Sequence, residues 1–263
     1  MKKLGLILRY IRYLTLSKTR YNIHSKFVFD FVNNILRDKK DYEDYNKLWE
    51  IRNHQSESND TIETVDFGSG AKGKKYRTKV LSLGKIVRLR SHSQSRLQLL
   101  YRISRYYKPK NILEFGTSTG ISASYIKSGN PEGKMITMEG CANLASKAHE
   151  AFEKLGLKNI EVAEGSFESN LEKVLEKFDT LDFVFFDGNH RMEPTMSYYE
   201  SCAKLLNENS IFVFDDIHWS QGMESAWNSI KKDDRVSVTI DLFWFGIVFF
   251  RKGIEKQDFV IRY

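Results

Sequence analysis

The sequence predicts an α/β protein: a mostly parallel sheet of seven strands wrapped by helices, preceded by a basic, mainly helical extension. Three observations carry this. After Pro109, short apolar runs alternate with amphipathic segments, and the connections are short. Before Pro109 no such alternation is visible, and Lys and Arg crowd the chain. Finally, 41% hydrophobic residues in a chain of 263 are enough for a sizeable core, which excludes global disorder.

The elements follow in order. A strand over Asn111–Phe115 ends in a glycine turn, and a helix is expected over 120–128. Strands are expected over 134–139, 159–163, 182–187 and 210–215, with helices over 143–155, 168–178, 193–206 and 221–230 between and after them. Two strands within 236–250, joined near Gly246, read as a hairpin that sets an antiparallel strand at the sheet edge. The expected boundary lies between 1–108, an extension or lid, and 109–263, the main domain.

In the extension, Leu4, Ile7, Leu8, Ile11 and Leu14 recur at helical spacing, with Lys2, Lys3, Arg9 and Arg12 between them. Such a stripe is expected to pack on its parent domain; the alternative is peripheral contact with a membrane surface through residues 1–20. Ser25 is placed to cap a second helix. A third helix is expected over 41–55, a polar linker over Ser56–Asp60, a loop around Gly68, Gly70 and Gly73, and a helix over 94–107.

Charge is split along the chain. Residues 1–113 hold 25 Lys/Arg against 10 Asp/Glu, and the remainder holds 16 against 24. From Phe67 to Leu113 there are 13 basic residues and no acidic one. Such crowding favours an anionic partner: phosphate, an acidic sugar, nucleic acid or an anionic membrane. A plain solvated face is the competing reading. No stretch nears the ~20 apolar residues a spanning helix needs. Arg9 and Arg12 interrupt the first apolar stretch, unlike a secretory signal. Two cysteines, Cys141 and Cys202, make neither a disulfide framework nor a zinc motif, so a cytoplasmic setting is expected.

Two segments could be nucleotide loops: Asp66–Gly70 and Glu114–Gly120. A ribose site wants an acid at the end of the next strand, about 20 residues on. Glu139 supplies it for the second loop, while only Lys85, Val87, Arg88 and Arg90 follow the first. The cofactor is therefore assigned to Gly116–Gly120. The G-x-x-x-G spacing departs from the dinucleotide pattern and suits S-adenosylmethionine better than a pyrophosphate. Strand 182–187 ends in Asp187, followed by His190; strand 211–215 ends in Asp215, followed by Asp216 and His218. In an open parallel sheet these ends share one rim, and carboxylates gathered there suit a divalent cation such as Mg²⁺.

The segments ILEFGTSTGIS (112–122), MITMEG (135–140), EGSFESNL (164–171), LDFVFFDGNH (181–190) and FVFDD (212–216) together resemble the class I S-adenosylmethionine-dependent methyltransferases. The similar groups are the metal-dependent O-methyltransferases, of the catechol type and the macrocin and novobiocin sugar type. The resemblance implies a Rossmann-like fold in which Glu114, Gly116, Thr117 and Gly120 hold the methionine part and Glu139 the ribose. Ser118, Gly165, Ser166 and Asp187 complete the cofactor set, Ser166 near the adenine. Asp187, Asp215 and Asp216 fall where these families place metal ligands. His190 stands where the catechol enzymes carry a lysine base, and DGNH replaces the (D/N)PP(Y/F) motif of N-methyltransferases acting on nucleic-acid amino groups.

The expected reaction is metal-assisted O-methylation of a small or glycan-like, anionic acceptor. Mg²⁺ activates the hydroxyl, and His190 and Asp187 are the catalytic residues. His218 is the second candidate base. Trp219, Trp227, Phe243, Trp244 and Phe245 are expected to be packing rather than an acceptor pocket. Competing readings are an RNA-directed methyltransferase, and a membrane-surface binding protein on a methyltransferase-like fold that has lost catalysis. A homo-oligomer is expected.

Overall fold

The fold comes from a computed structural model that describes residues 2–19, 22–66 and 76–263. Its elements are α1 (Lys2–Leu16), α2 (Lys26–Phe31) with a π-helical turn over Val32–Leu36, α3 (Asp44–Glu57), β1 (Thr61–Asp66), β2 (Arg77–Ser82), α4 (Leu83–Arg90) and α5 (Gln94–Tyr107). There follow β3 (Asn111–Phe115), α6 (Ile121–Gly129), β4 (Lys134–Glu139), α7 (Ala142–Lys154), β5 (Ile160–Glu164), α8 (Phe167–Leu175), β6 (Leu181–Phe186) and α9 (Met192–Ala203). Last come β7 (Leu206–Asp215), α10 (Gln221–Lys232), β8 (Val238–Asp241), β9 (Phe245–Phe249) and β10 (Gln257–Val260). The principal sheet has eight strands, in the order β10-β8-β9-β7-β6-β3-β4-β5. Seven were expected. The extra strand, β10, is four residues long and half polar, too short for an apolar run to reveal it. Two compact units divide the chain, residues 37–177 and residues 1–36 with 178–263, so the first 108 residues belong partly to each.

In the unit 37–177, β3, β4 and β5 are parallel. The strands β3 and β4 are buried on both faces, as parallel strands between helix layers are: Ile112, Leu113, Phe115, Met135, Ile136 and Met138 are all in the core. Helix α5 ends at Lys108, in the left-handed region just before Pro109, where a helix cannot continue. Aromatic packing ties α3 to α5: the Tyr45 and Tyr101 rings are 5.0 Å apart, and the Tyr101 hydroxyl donates to Asp44 at 2.7 Å. The stretch expected to be linker and loop forms instead the antiparallel hairpin β1–β2, with Thr61 opposite Ser82 and Asp66 opposite Arg77. The glycines Gly68, Gly70 and Gly73 of the first candidate loop lie outside the described residues.

In the other unit, β6 and β7 are parallel, β9 runs antiparallel to both β7 and β8, and β10 is parallel to β8. The hairpin near Gly246 is present, but β9 is interior and β10 takes the edge. Stacked Phe186 and Phe214 rings, 4.3 Å apart, fill the face between β6 and β7. Trp227 of α10 lies on β9 so closely that a Cβ at Gly246 would stand 2.7 Å from its ring. Trp227, Phe243 and Phe245 are buried and serve packing, as expected, while Trp219 is exposed.

Helix α1 corrects an expectation. Its buried side is made by Tyr13, whose hydroxyl donates to the Ile261 carbonyl at 2.6 Å, and by Arg9, whose Nε donates to Glu224 at 2.7 Å. The aliphatic side chains of Leu4, Ile7, Leu8 and Ile11 face solvent. Polar anchoring decided the orientation, which periodicity alone cannot reveal.

Asp233, just past α10, locks the end of that helix. It accepts from the Arg235 main-chain N–H at 2.8 Å, from the Arg235 guanidinium and from the Tyr199 hydroxyl at 2.8 Å. Burial works against its charge, but these donors outweigh it and bring the carboxyl down to about 2. A carboxyl depressed on folding contributes stability above its unfolded value of about 3.9, and that contribution is lost as pH falls toward 2. Asp233→Asn should therefore destabilise by about 1 kcal/mol at pH 7. In urea melts the gap to the unaltered protein should narrow below about pH 4.

Candidate functional site

The glycine loop after β3 is shaped from below by hydroxyls. The Thr137 hydroxyl, on β4, donates to the buried Glu114 carboxylate. Its only proton is thereby used, so the Thr117 hydroxyl, 2.6 Å away, donates to Thr137. The N–H groups of Gly116 and Thr117 both reach the Met138 carbonyl, at 3.0 and 3.1 Å. The chain then turns through positive φ at Gly116, Ser118 and Gly120. Glu114 and Thr117 are thus built into the floor of the loop.

Gly120 is the N-cap of α6 and caps it with no side chain, so first-turn N–H groups are open to an anion or a carboxylate. Nothing larger than glycine fits. A Cβ there would stand 2.9 Å from Ala148 Cα and 2.9 Å from the Phe152 ring, and φ is +82°. The loop is pressed against α7.

Glu139 closes the site at the end of β4. Its carboxylate accepts from the Ser118 N–H at 2.7 Å and the Cys141 N–H at 2.8 Å. Burial pushes the carboxyl above its ordinary value, while those N–H groups, that of Gly140 and the charge of Arg90 pull the other way. Each oxygen keeps a lone pair for a further donor, such as a hydroxyl. On the next strand end, the Gly165 N–H donates to the Glu139 carbonyl at 2.8 Å, and the Ser166 side chain caps α8. Loop, Glu139 and the Gly165–Ser166 turn therefore form one connected rim within this unit.

Three contributors were not foreseen. Gln55 of α3 donates to the Thr119 carbonyl at 3.1 Å, so the extension holds the loop from outside. The Cys141 sulfur accepts from the Val65 N–H at 3.4 Å, and Asn143 donates to the Glu63 carbonyl at 2.8 Å. These seat β1 beside the Glu139 turn. The β-branched residues of TIETVD were a faint signal for β1; nothing in the sequence pointed to Gln55.

In the other unit, Asp187 directly follows β6 and Asp215 ends β7. Each carboxylate is followed by a left-handed residue, Asn189 and Asp216, both at φ 53°. His190 Nε2 lies 3.6 Å from Asp187 Oδ1. Ligand atoms of His190, Asp215 and Asp216 lie within 4.8 Å of one another, and Asp187 and Asp215 approach equally closely. Of the expected set, Asp215 thus comes close to Asp187 and to Asp216, and His190, which was expected only as a base, joins Asp215 and Asp216. His218 is engaged elsewhere: its nitrogens meet Glu224 at 3.1 Å and Asp241 at 2.8 Å, and its ring stacks on Phe243. Burial opposes its charge, but the two carboxylates prevail and raise its pKa. It has no nitrogen to offer a ligand.

The close loop packing is directly testable. Gly120→Ala should destabilise by about 2–3 kcal/mol, from strain at positive φ and overpacking against α7. Equilibrium denaturant unfolding measures it; an unchanged midpoint would show that the loop relaxes freely.

Residues 113–217 match the family model described as Methyltransferase domain. No curated protein matches the sequence. Among solved structures, the O-methyltransferase TomG from Streptomyces achromogenes, in complex with S-adenosylmethionine, is similar at 19% identity and a TM-score of 0.54, over 62% of this chain and 82% of that one. An O-methyltransferase from Bacillus cereus in complex with S-adenosylhomocysteine gives 17% and 0.55, over 90% and 99%. The S-adenosylhomocysteine-bound methyltransferase PaMTH1 of Podospora anserina gives 16% and 0.59, over 88% and 98%. Residues 113–217 thus match a methyltransferase-domain model, and the chain has the Rossmann-like fold of these solved methyltransferases.

Proposed function

We propose that the protein transfers the methyl group of S-adenosylmethionine to a hydroxyl of a small or glycan-like, anionic acceptor, with help from a divalent cation. One observation carries the reading: the methyltransferase match over 113–217 encloses both the Gly116–Gly120 loop with Glu139 and the strand-end group Asp187, His190, Asp215 and Asp216. The O-methyltransferases among the similar structures support hydroxyl as the acceptor group.

In this reading Gly116, Thr117, Ser118 and Gly120, with Glu114 beneath them, hold the methionine end of the cofactor. Glu139 accepts from the ribose hydroxyls, and Gly165 and Ser166 border the adenine. Asp187, Asp215 and Asp216 would hold the cation. The donors fit it: a carboxylate oxygen of Asp215 lies within 4.8 Å of one of Asp187 and of one of Asp216, and carboxylate oxygens suit a hard divalent ion such as Mg²⁺. When bound, such an ion supplies a Lewis acid that eases deprotonation of an acceptor hydroxyl. His190 takes that proton, and Asp187, at 3.6 Å from Nε2, stabilises the imidazolium that forms. The rest of the acceleration is alignment of oxygen and methyl carbon. Arg90, whose charge acts on Glu139, supports an anionic acceptor beside the cofactor.

Calorimetry with S-adenosylhomocysteine, in Mg²⁺ and in EDTA, tests the cofactor part. Binding should appear in both, and Glu139→Gln should weaken it about thirtyfold. Absence of binding in either buffer overturns the assignment. Asp215→Asn should keep S-adenosylhomocysteine affinity within about twofold yet cut turnover at least about a hundredfold, read as product release across a panel of phenols, sugars and sugar phosphates. Full turnover in that variant removes the cation from the mechanism.

A further inference from the structure

We propose that α1 is an interfacial anchor that lays the protein on an anionic lipid bilayer. The helix has two opposed faces. One is attached to its own unit through Tyr13 and Arg9. On the other, Leu4 is 63% exposed, Ile7 54%, Leu8 59% and Ile11 52%. At helical spacing these four fall within an arc of about 100°, nearly opposite Tyr13. Four large aliphatic side chains on one turn-to-turn stripe are a contiguous apolar surface, not scattered singles.

Charge selects the occupant. Residues 1–29 carry seven basic residues and no acidic one. A second copy of α1 on this face would bring like charges together, whereas an anionic headgroup layer neutralises them. The helix cannot span a bilayer: at 15 residues it is short of the ~20 needed, and among the described residues no helix is long and apolar enough to cross one. An apolar arc with basic flanks instead suits a helix lying in the interface plane, aliphatic side chains down. Arg12, next to the arc and exposed, is placed to meet phosphate oxygens, while Arg9 is already paired with Glu224.

Flotation of the full chain with vesicles tests this. Vesicles of phosphatidylglycerol and phosphatidylcholine in equal parts should bind at least about tenfold more protein than vesicles of phosphatidylcholine alone, and added salt should reduce the difference. Ile7→Ser with Leu8→Ser should lower binding to the anionic vesicles about tenfold. Its thermal midpoint should be unchanged, because both side chains face solvent. Arg12→Gln should weaken anionic binding and spare the fold. Equal binding to neutral and anionic vesicles overturns the proposal, as does undiminished binding by the double variant. So does a dimer in light scattering that the double variant converts to monomer, which would assign the face to a second copy.

Discussion

Glu139 holds a carboxylate that burial disfavours, and the chain meets that cost with main-chain N–H groups from two directions. Ser118 donates from the loop after β3, and Cys141 donates from the turn after β4. One side chain thereby fixes the spacing of two strand ends. Ser118 needs that restraint, since it sits at a positive φ that a side-chain-bearing residue adopts at a cost. The hydroxyl chain from Thr117 through Thr137 to Glu114 supports the same loop from below, and Gly120 presses it onto α7. The outcome is a rim whose donors and acceptors are held in place by the protein's own hydrogen bonds and packing.

The strand ends of the other unit follow a related design with different chemistry. There the left-handed residues Asn189 and Asp216 come right behind β6 and β7 and turn the chain sharply. Sharp turns bring His190, Asp215 and Asp216 within reach of one another. Backbone strain of this kind persists only where the surrounding structure enforces it. Here the buried β6 and β7, stacked through Phe186 and Phe214, give the rigid base.

Much of this was legible in the sequence because βα alternation is a strong pattern: each apolar run is a strand that needs a helix on either side. The loop at 116–120, Glu139 and the strand-end aspartates were candidates because ligands of open parallel sheets bind outside the carboxyl ends of strands. What stayed hidden has particular causes. The hairpin of β1 and β2 carries Glu63, Asp66, Arg77 and Lys79, so charge masked its alternation. β10 is too short to show a period. Gln55 reads as an ordinary helix residue, and only its bond to the Thr119 carbonyl gives it a role. His190 was read through its proton chemistry, while the fold also sets it among possible ligands.

The basic excess shows why a charge count needs the structure beside it. Arg9 is engaged by Glu224, and Arg102 is buried near the Tyr45 hydroxyl. Neither is available to a partner, although both enter the tally for residues 1–113. Arg12 and the basic residues of α4, in contrast, reach solvent. A periodic stripe is equally ambiguous: it establishes that a helix has an apolar side, not that the protein covers it. In α1 an aromatic hydroxyl and a guanidinium made the stronger attachments, because each found a buried or half-buried acceptor, and the aliphatic side was left outward. Exposed aliphatics and the exposed Arg12 on the same short helix then constrain each other: a purely apolar partner would leave the cation unanswered, and a purely anionic one would leave the aliphatics in water. A surface that offers both together satisfies the whole helix.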